Sequence, residues 1–389
     1  VPTRNALAVC LGLLPLLARG GGGVCPYCRG DPALLAAAGL VSHGPFPFAK
    51  DDTQKVAAFL APAPFLFLES AHFRIGSSLE ATSLNDEEDR RLRPELALLR
   101  KALPAVPART RRLDPWLRLH LYALRAEAFY GRFQRILGVT DADFPATRDP
   151  ELPYMGDGRY LGEREKYEIL LHATAASHGA FLVAYTATKV RGSERWHFQE
   201  RHAVHVSVPC VGTLRREENL HPHLVHSLAH MLLAGYKHYS YEPPLWIDEG
   251  LAHLCEREVD PKSNTFDGDE GIGAPSLEEA NWEFLTLRIV GRGKAEPLAN
   301  LLRKNAFSDL DLDDNVVCWS KVDFLLRTRP KELAALLGRV KGRIDAKGRA
   351  DARDLPGAQR EAFREVLGWS FADFDREWEA WVRKAYAPR

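Results

Sequence analysis

The 389-residue chain balances 52 Lys+Arg against 52 Asp+Glu, so it lacks the basic field that nucleic-acid binding requires. Hydrophobic residues make up 46% and charged residues 27%, the proportions of a globular protein that buries a real core in one large domain or two moderate ones. Six cysteines are present, and loss of Cys10 with a leader would leave an odd number, which excludes a scaffold built on disulfides.

In chain order, Arg4 precedes an apolar run, Ala6 to Ala18, that is followed by Arg19 and four glycines. A basic start, a short apolar core and small residues after it predict a secretory signal over 1–20, with a buried N-terminal helix as the alternative. The run is short for a bilayer and is broken by Pro15, and no later segment is long and apolar enough. The expectation is a secreted or periplasmic protein without a transmembrane span. The stretch 21–61 reads as a loop-rich segment carrying Cys25-Pro26-Tyr27-Cys28 and the turn signals Ser42-His43-Gly44-Pro45. Cys-Pro-Tyr-Cys resembles the glutaredoxin active site, but no strand precedes it as that fold requires. A local disulfide in an oxidising compartment is the preferred reading. A thiol–disulfide module and a zinc half-site completed by His43 are the alternatives.

A strand-bearing part is expected over 62–220. Pro62-Ala63-Pro64 ends the loop, and Phe65–Ile75 has the aromatic and apolar content of a strand. The mixed-charge run Asp86–Arg91 reads as solvated helix surface, and a helix is expected around Pro94–Leu103. Asp114 at N-cap and Pro115 at N1 open a long helix to about Leu137, whose Trp116, Leu119, Leu121, Leu124 and Phe129 are core candidates. A helix is expected near Lys166–Ser177, then strands at Ala180–Ala187 and Ala203–Pro209. From about Glu217 the chain reads almost entirely as helix, ending in Phe371–Ala385 with Phe374, Trp378 and Trp381 at helical spacing.

The chemistry concentrates in His221-Pro222-His223-Leu224-Val225-His226-Ser227-Leu228-Ala229-His230. At about 100° per residue, His223, His226, Ser227 and His230 fall within roughly one third of a helix circumference. His226 and His230 are i,i+4 neighbours whose imidazoles can converge on one tetrahedral metal. After Pro243-Pro244, a second helix beginning near Trp246 carries Asp248, Glu249 and His253 in its first turns. The W-x-x-E-G-x-A pattern, with Glu249 following His230, resembles the gluzincins and in particular the bacterial peptidase MA-like members. The resemblance covers about 200–389 and is sharpest over 226–258. It implies an α+β, zincin-like fold, with a strand-bearing N-terminal part and a mainly helical gluzincin-like region over 221–389. It also implies zinc held by His226, His230 and Glu249, and Ala203–Pro209 as the edge strand bordering a substrate cleft.

The chain departs from that family at three places. The motif H-E-x-x-H places a general base where Ser227 stands, and a serine hydroxyl is no base near neutral pH. His253 replaces an acidic residue that bonds a ligand histidine. The helix around Asn315–Leu326 lacks the tyrosine or histidine that steadies an oxyanion. The leading reading is therefore a pseudopeptidase that retains zinc and binds a peptide or protein ligand. One alternative is an active zinc hydrolase using Asp248, His223 or His253 as its base. Another is a metal-free hydrogen-bonded cluster, and a fourth ligand from His253 would close the site.

Overall fold

The structure, a computed structural model, describes residues 24–266 and 281–387. The signal segment expected over 1–20 lies outside the described residues. No described helix is long and apolar enough to cross a membrane.

The fold is α+β, with its strands in the N-terminal part and a mainly helical C-terminal part. Six strands form the main sheet: β1 (Leu40–Ser42), β2 (Leu66–Ser70), β3 (Phe73–Ser77), β4 (Tyr167–His172), β5 (Glu194–Phe198) and β6 (Ala203–Pro209). Their order is β1-β2-β3-β4-β6-β5. The β3–β4 and β4–β6 pairs are parallel; the others are antiparallel. Side chains alternate across the sheet with the strand period of two. Leu66 and Leu68 of β2, Ile169 and Leu171 of β4 and Val204, Val206 and Val208 of β6 face the larger core. Phe67 and Leu170 face a smaller core closed by Phe48, Val56, Phe181 and Tyr185.

Several sequence expectations change. The strand expected over Phe65–Ile75 is a hairpin, with Leu68 opposite Ile75 across a reversal at Ala71-His72. Residues 166–187 exchange their expected elements. Tyr167–His172 is strand β4, and Ala175–Tyr185 is a helix capped by Thr174. The apolar run Ala180–Ala187 is too short for composition alone to separate strand from buried helix. His178, Phe181, Leu182 and Tyr185, the buried set, recur at i, i+3, i+4 and i+7, a pattern only a helix provides. Ala203–Pro209 is a strand as expected, but it lies inside the sheet; β5 is the edge. The segment before Pro64 holds two short helices, Pro32–Ala37 and Thr53–Phe59, as well as β1.

The helix expectations fare better. The charged run belongs to a helix spanning Asp86–Ala102, opened by a capping box between Asn85 and Glu88. The long helix is Pro115–Leu137, with the Asp114 carboxylate accepting from the backbone N–H groups of Trp116 and Leu117. It stops at Gly138, whose φ of 64° is the left-handed geometry that favours glycine. The histidine helix is Glu217–Gly235 and the glutamate helix Leu245–Val259. The helix Leu312–Thr328 packs behind the latter. Gly250 makes that approach possible, since a Cβ there would lie 2.5 Å from the carbonyl oxygen of Cys318.

A buried ion cluster joins the long helix to the start of the histidine helix. Glu217 receives Arg118 at 2.7 Å, Arg125 at 3.2 Å and the Tyr122 hydroxyl at 2.8 Å. With three donors on one carboxylate, the register of the two helices is fixed.

Candidate metal centre

The histidine and glutamate helices meet face to face, and this contact brings His226, His230 and Glu249 together. Their ligand-capable atoms lie within 4.8 Å of one another, and all three side chains are buried. The two Nε2 atoms face each other at 3.1 Å. Two imidazole nitrogens on a tetrahedral zinc sit about 3.3 Å apart, from Zn–N bonds of about 2.0–2.1 Å. The i,i+4 pair is therefore already near the spacing a shared metal needs.

The outer nitrogens decide how the rings are held. His226 Nδ1 lies 3.2 Å from Glu256 Oε2, and His230 Nδ1 lies 2.9 Å from Asp248 Oδ1. A carboxylate on the far nitrogen of a ligand histidine fixes the tautomer and turns the Nε2 lone pair toward the metal. Glu249 stands beside Asp248 in sequence and supplies the third side chain of the group, its carboxylate. The residues present thus fit a divalent metal bound by two nitrogens and a carboxylate.

Glu256 is the residue the sequence reading missed. It lies three residues beyond His253 and seven beyond Glu249, on one face of the glutamate helix, and that spacing was the available signal. Burial alone would raise its pKa, but His226 and hydrogen bonds with His226 and His253 hold its carboxyl well below the usual range. Thr265 completes its environment, donating from its backbone N–H at 3.1 Å and from its hydroxyl at 2.6 Å. The carboxylate support expected at position 253 in a gluzincin thus comes from Glu256 and Asp248 instead. His253 spans two acids, with Nε2 3.3 Å from Glu249 Oε2 and Nδ1 3.3 Å from Glu256 Oε2.

The candidate replacement bases are engaged elsewhere. Asp248 is on His230 and His253 is between two carboxylates. His223 sits between Ser193, at 2.7 Å from its Nε2, and Thr265, at 3.3 Å from its Nδ1. Because the Thr265 hydroxyl donates to Glu256, it accepts from His223 Nδ1–H. Ser227 is buried one residue beyond His226. Aromatic rings close over the cluster: Phe307 lies 5.4 Å from His230, and Phe266 and Trp282 lie 5.7 and 4.8 Å from His253. The edge strand β5 grips the histidine helix through Arg195, which donates to the His230 carbonyl at 3.0 Å.

No protein-family model, curated protein or solved structure matches the chain.

The N-terminal cysteines depart from expectation. Cys25 and Cys28 are both free thiols, so the expected local disulfide is not formed. The redox alternative also lacks its context. The motif lies in a turn, and the next helix begins only at Pro32. Burial pushes the Cys25 thiol up to about 11, the opposite of an activated thiolate. Each thiol instead faces a histidine, Cys25 facing His120 and Cys28 facing His43.

Proposed function

We propose that this chain is an exported, gluzincin-like pseudopeptidase that binds zinc through His226, His230 and Glu249. In this reading it serves as a binding or scaffold protein for a peptide or protein ligand. The observation that carries the reading is the pair of Nε2 atoms at 3.1 Å, each ring backed by a carboxylate, with Ser227 where the gluzincin resemblance implies a general base. Zinc bound there would supply Lewis acidity and local positive charge.

The chain's own residues favour holding a metal over turning over a substrate. Asp248 and Glu256 orient the two imidazoles and so are committed to positioning them. Ser227 cannot take up a proton at neutral pH, and general-base catalysis is worth ~10²–10⁴-fold. The near-complete burial of His226, His230, Glu249 and His253 also resembles a closed structural centre more than a catalytic one with an open position.

The test is zinc content by mass spectrometry beside peptide turnover with and without chelator. A zinc content lower in His226→Ala than in the wild type by about one ion per chain, together with little or no chelator-sensitive cleavage, is the expected result. Protein that stays metal-free after exposure to zinc would remove the metal reading. Robust chelator-sensitive cleavage abolished by His230→Ala would replace the pseudopeptidase with an active hydrolase. Export is tested separately: mature protein from the native host should lack the segment 1–20.

A further inference from the structure

A second cluster of metal-ligating side chains lies at the N-terminal end of the described chain, outside the histidine–carboxylate centre. Cys25, Cys28, His43 and His120 bring two sulfurs and two nitrogens within 4.8 Å of one another. Cys25 Sγ is 3.1 Å from His120 Nε2, and Cys28 Sγ is 3.0 Å from His43 Nε2. Both cysteines and His120 are buried, with exposures of 2%, 0% and 1%.

The backbone brings the ligands into place. The Cys25–Cys28 turn is closed by hydrogen bonds from Arg29 N to the Cys25 carbonyl at 2.9 Å and from Asp31 N to the Cys28 carbonyl at 2.8 Å. Arg29 and Gly30 both take positive φ, 52° and 74°, and so turn the chain sharply after the second cysteine. The Tyr27 hydroxyl between them donates to Asp114, the N-cap of the helix that carries His120. His43 follows β1 and places its Nδ1 3.2 Å from the Phe67 carbonyl of β2. That bond puts the proton on Nδ1 and leaves the Nε2 lone pair aimed at the cysteines, the outer-nitrogen arrangement typical of a metal-bound histidine. Trp116 packs edge-on against His43 with ring centroids 4.8 Å apart, and Tyr27 edge-on against His120 at 6.0 Å.

We propose that Cys25, Cys28, His43 and His120 form a second, structural zinc site that clamps the N-terminal segment onto the sheet and the long helix. Two thiolates and two imidazoles are a preferred tetrahedral set for zinc, and four protein ligands leave no position for substrate. Zn–S bonds of about 2.3 Å and Zn–N bonds of about 2.0–2.1 Å place sulfur and nitrogen about 3.6 Å apart around a tetrahedral ion. The two thiol–imidazole pairs need open by only about half an ångström to admit the ion. Binding replaces two S–H bonds by two S–Zn bonds; the two protons leave to solvent and nothing is oxidised or reduced. The site also explains how so little regular structure stays docked. A six-residue helix and a three-residue strand are all that lies between Cys28 and His43, and His120 is 95 residues from Cys25.

The test uses full-length protein loaded with cobalt(II), whose thiolate charge-transfer absorption reports sulfur ligands and is blind to the histidine–carboxylate centre. The expected spectrum contains that absorption and loses it in Cys25→Ser/Cys28→Ser. In that variant bound metal should fall from about two ions per chain to about one. In His226→Ala/His230→Ala the absorption should persist with about one ion, so failure of either site is read separately from failure of the other. Cobalt-loaded wild-type protein without thiolate absorption would overturn the proposal. So would peptide mapping that finds Cys25 and Cys28 joined to each other, whatever the variants do. Zinc should also protect both thiols from alkylation and chelator should release them; equal alkylation with and without zinc counts against the site.

Discussion

In the histidine–carboxylate centre, His226, His230, Asp248, Glu249, His253 and Glu256 all come from two consecutive helices. In the cysteine–histidine cluster the four ligands come from a turn, the residue after a three-residue strand and a helix far along the chain. The first is set by helical spacing, because i,i+4 and i,i+3 place side chains on one face before any tertiary contact forms. The second exists only once the sheet has paired and the long helix has docked. A ligand set on a helix face is therefore visible at the level of a motif. One assembled across the sheet is visible only as unexplained cysteines and histidines.

The strongest challenge to this contrast is Glu217, which ties the helix of His120 to the helix of His226. Glu217→Ala would leave Arg118 and Arg125 facing each other in a buried setting without their shared carboxylate. Breaking a buried pair from one side typically costs about 3–5 kcal/mol. Denaturant unfolding should show a loss of that size and metal titration a weakening of both clusters. An effect confined to one cluster would mean that the two are not coupled through these helices.

A narrower change separates the clusters. Asp248→Asn and Glu256→Gln each remove a carboxylate behind one ligand histidine, a change that typically weakens metal affinity by about 10–100-fold. Titration with zinc should show this loss at the histidine–carboxylate centre alone, with cobalt–thiolate absorption unchanged. Unaltered affinity in both variants would show that these acids do not orient the rings.

Ser227→Glu tests what the centre lacks. It returns a general base to the face shared by His226 and His230, a contribution worth ~10²–10⁴-fold where the rest of the machinery is present. The expected gain in peptide turnover is at or below the bottom of that range, because no oxyanion donor is restored with it. A gain at the top of the range would show that the remaining residues already form a competent active site.

One expected effect is of pH and belongs to neither cluster. Burial pushes the Glu163 carboxyl up to about 8, reinforced by Asp157 and opposed by Lys341 and Arg164. The folded state then holds a proton that the unfolded state releases above the ordinary value of 4.5. Stability from this group is fully present below that value and declines as pH rises toward about 8. Glu163→Gln should flatten that part of the stability profile without altering metal content at either cluster. A profile unchanged by the substitution would place the carboxyl in ordinary solvent.

The sequence by itself determined the features that depend on near neighbours. These include the Asp114–Pro115 helix start, the C-terminal helix Phe371–Ala385, the convergence of His226 and His230, and the delivery of Glu249 by the next helix. Each follows from capping, proline geometry or the helical repeat, all local physics. Tertiary structure decided the rest. Ala180–Tyr185 became helix because its apolar residues had to face one side of the sheet, a demand that a short run cannot express alone. Ala203–Pro209 became an interior strand because Glu194–Phe198 paired outside it. Glu256 reached His226 only through the packing of two helices, and His120 reached Cys25 only through closure of the whole N-terminal part. Those contacts depend on long-range pairing, whose partners are set by burial of the complete core and not by the residues on either side.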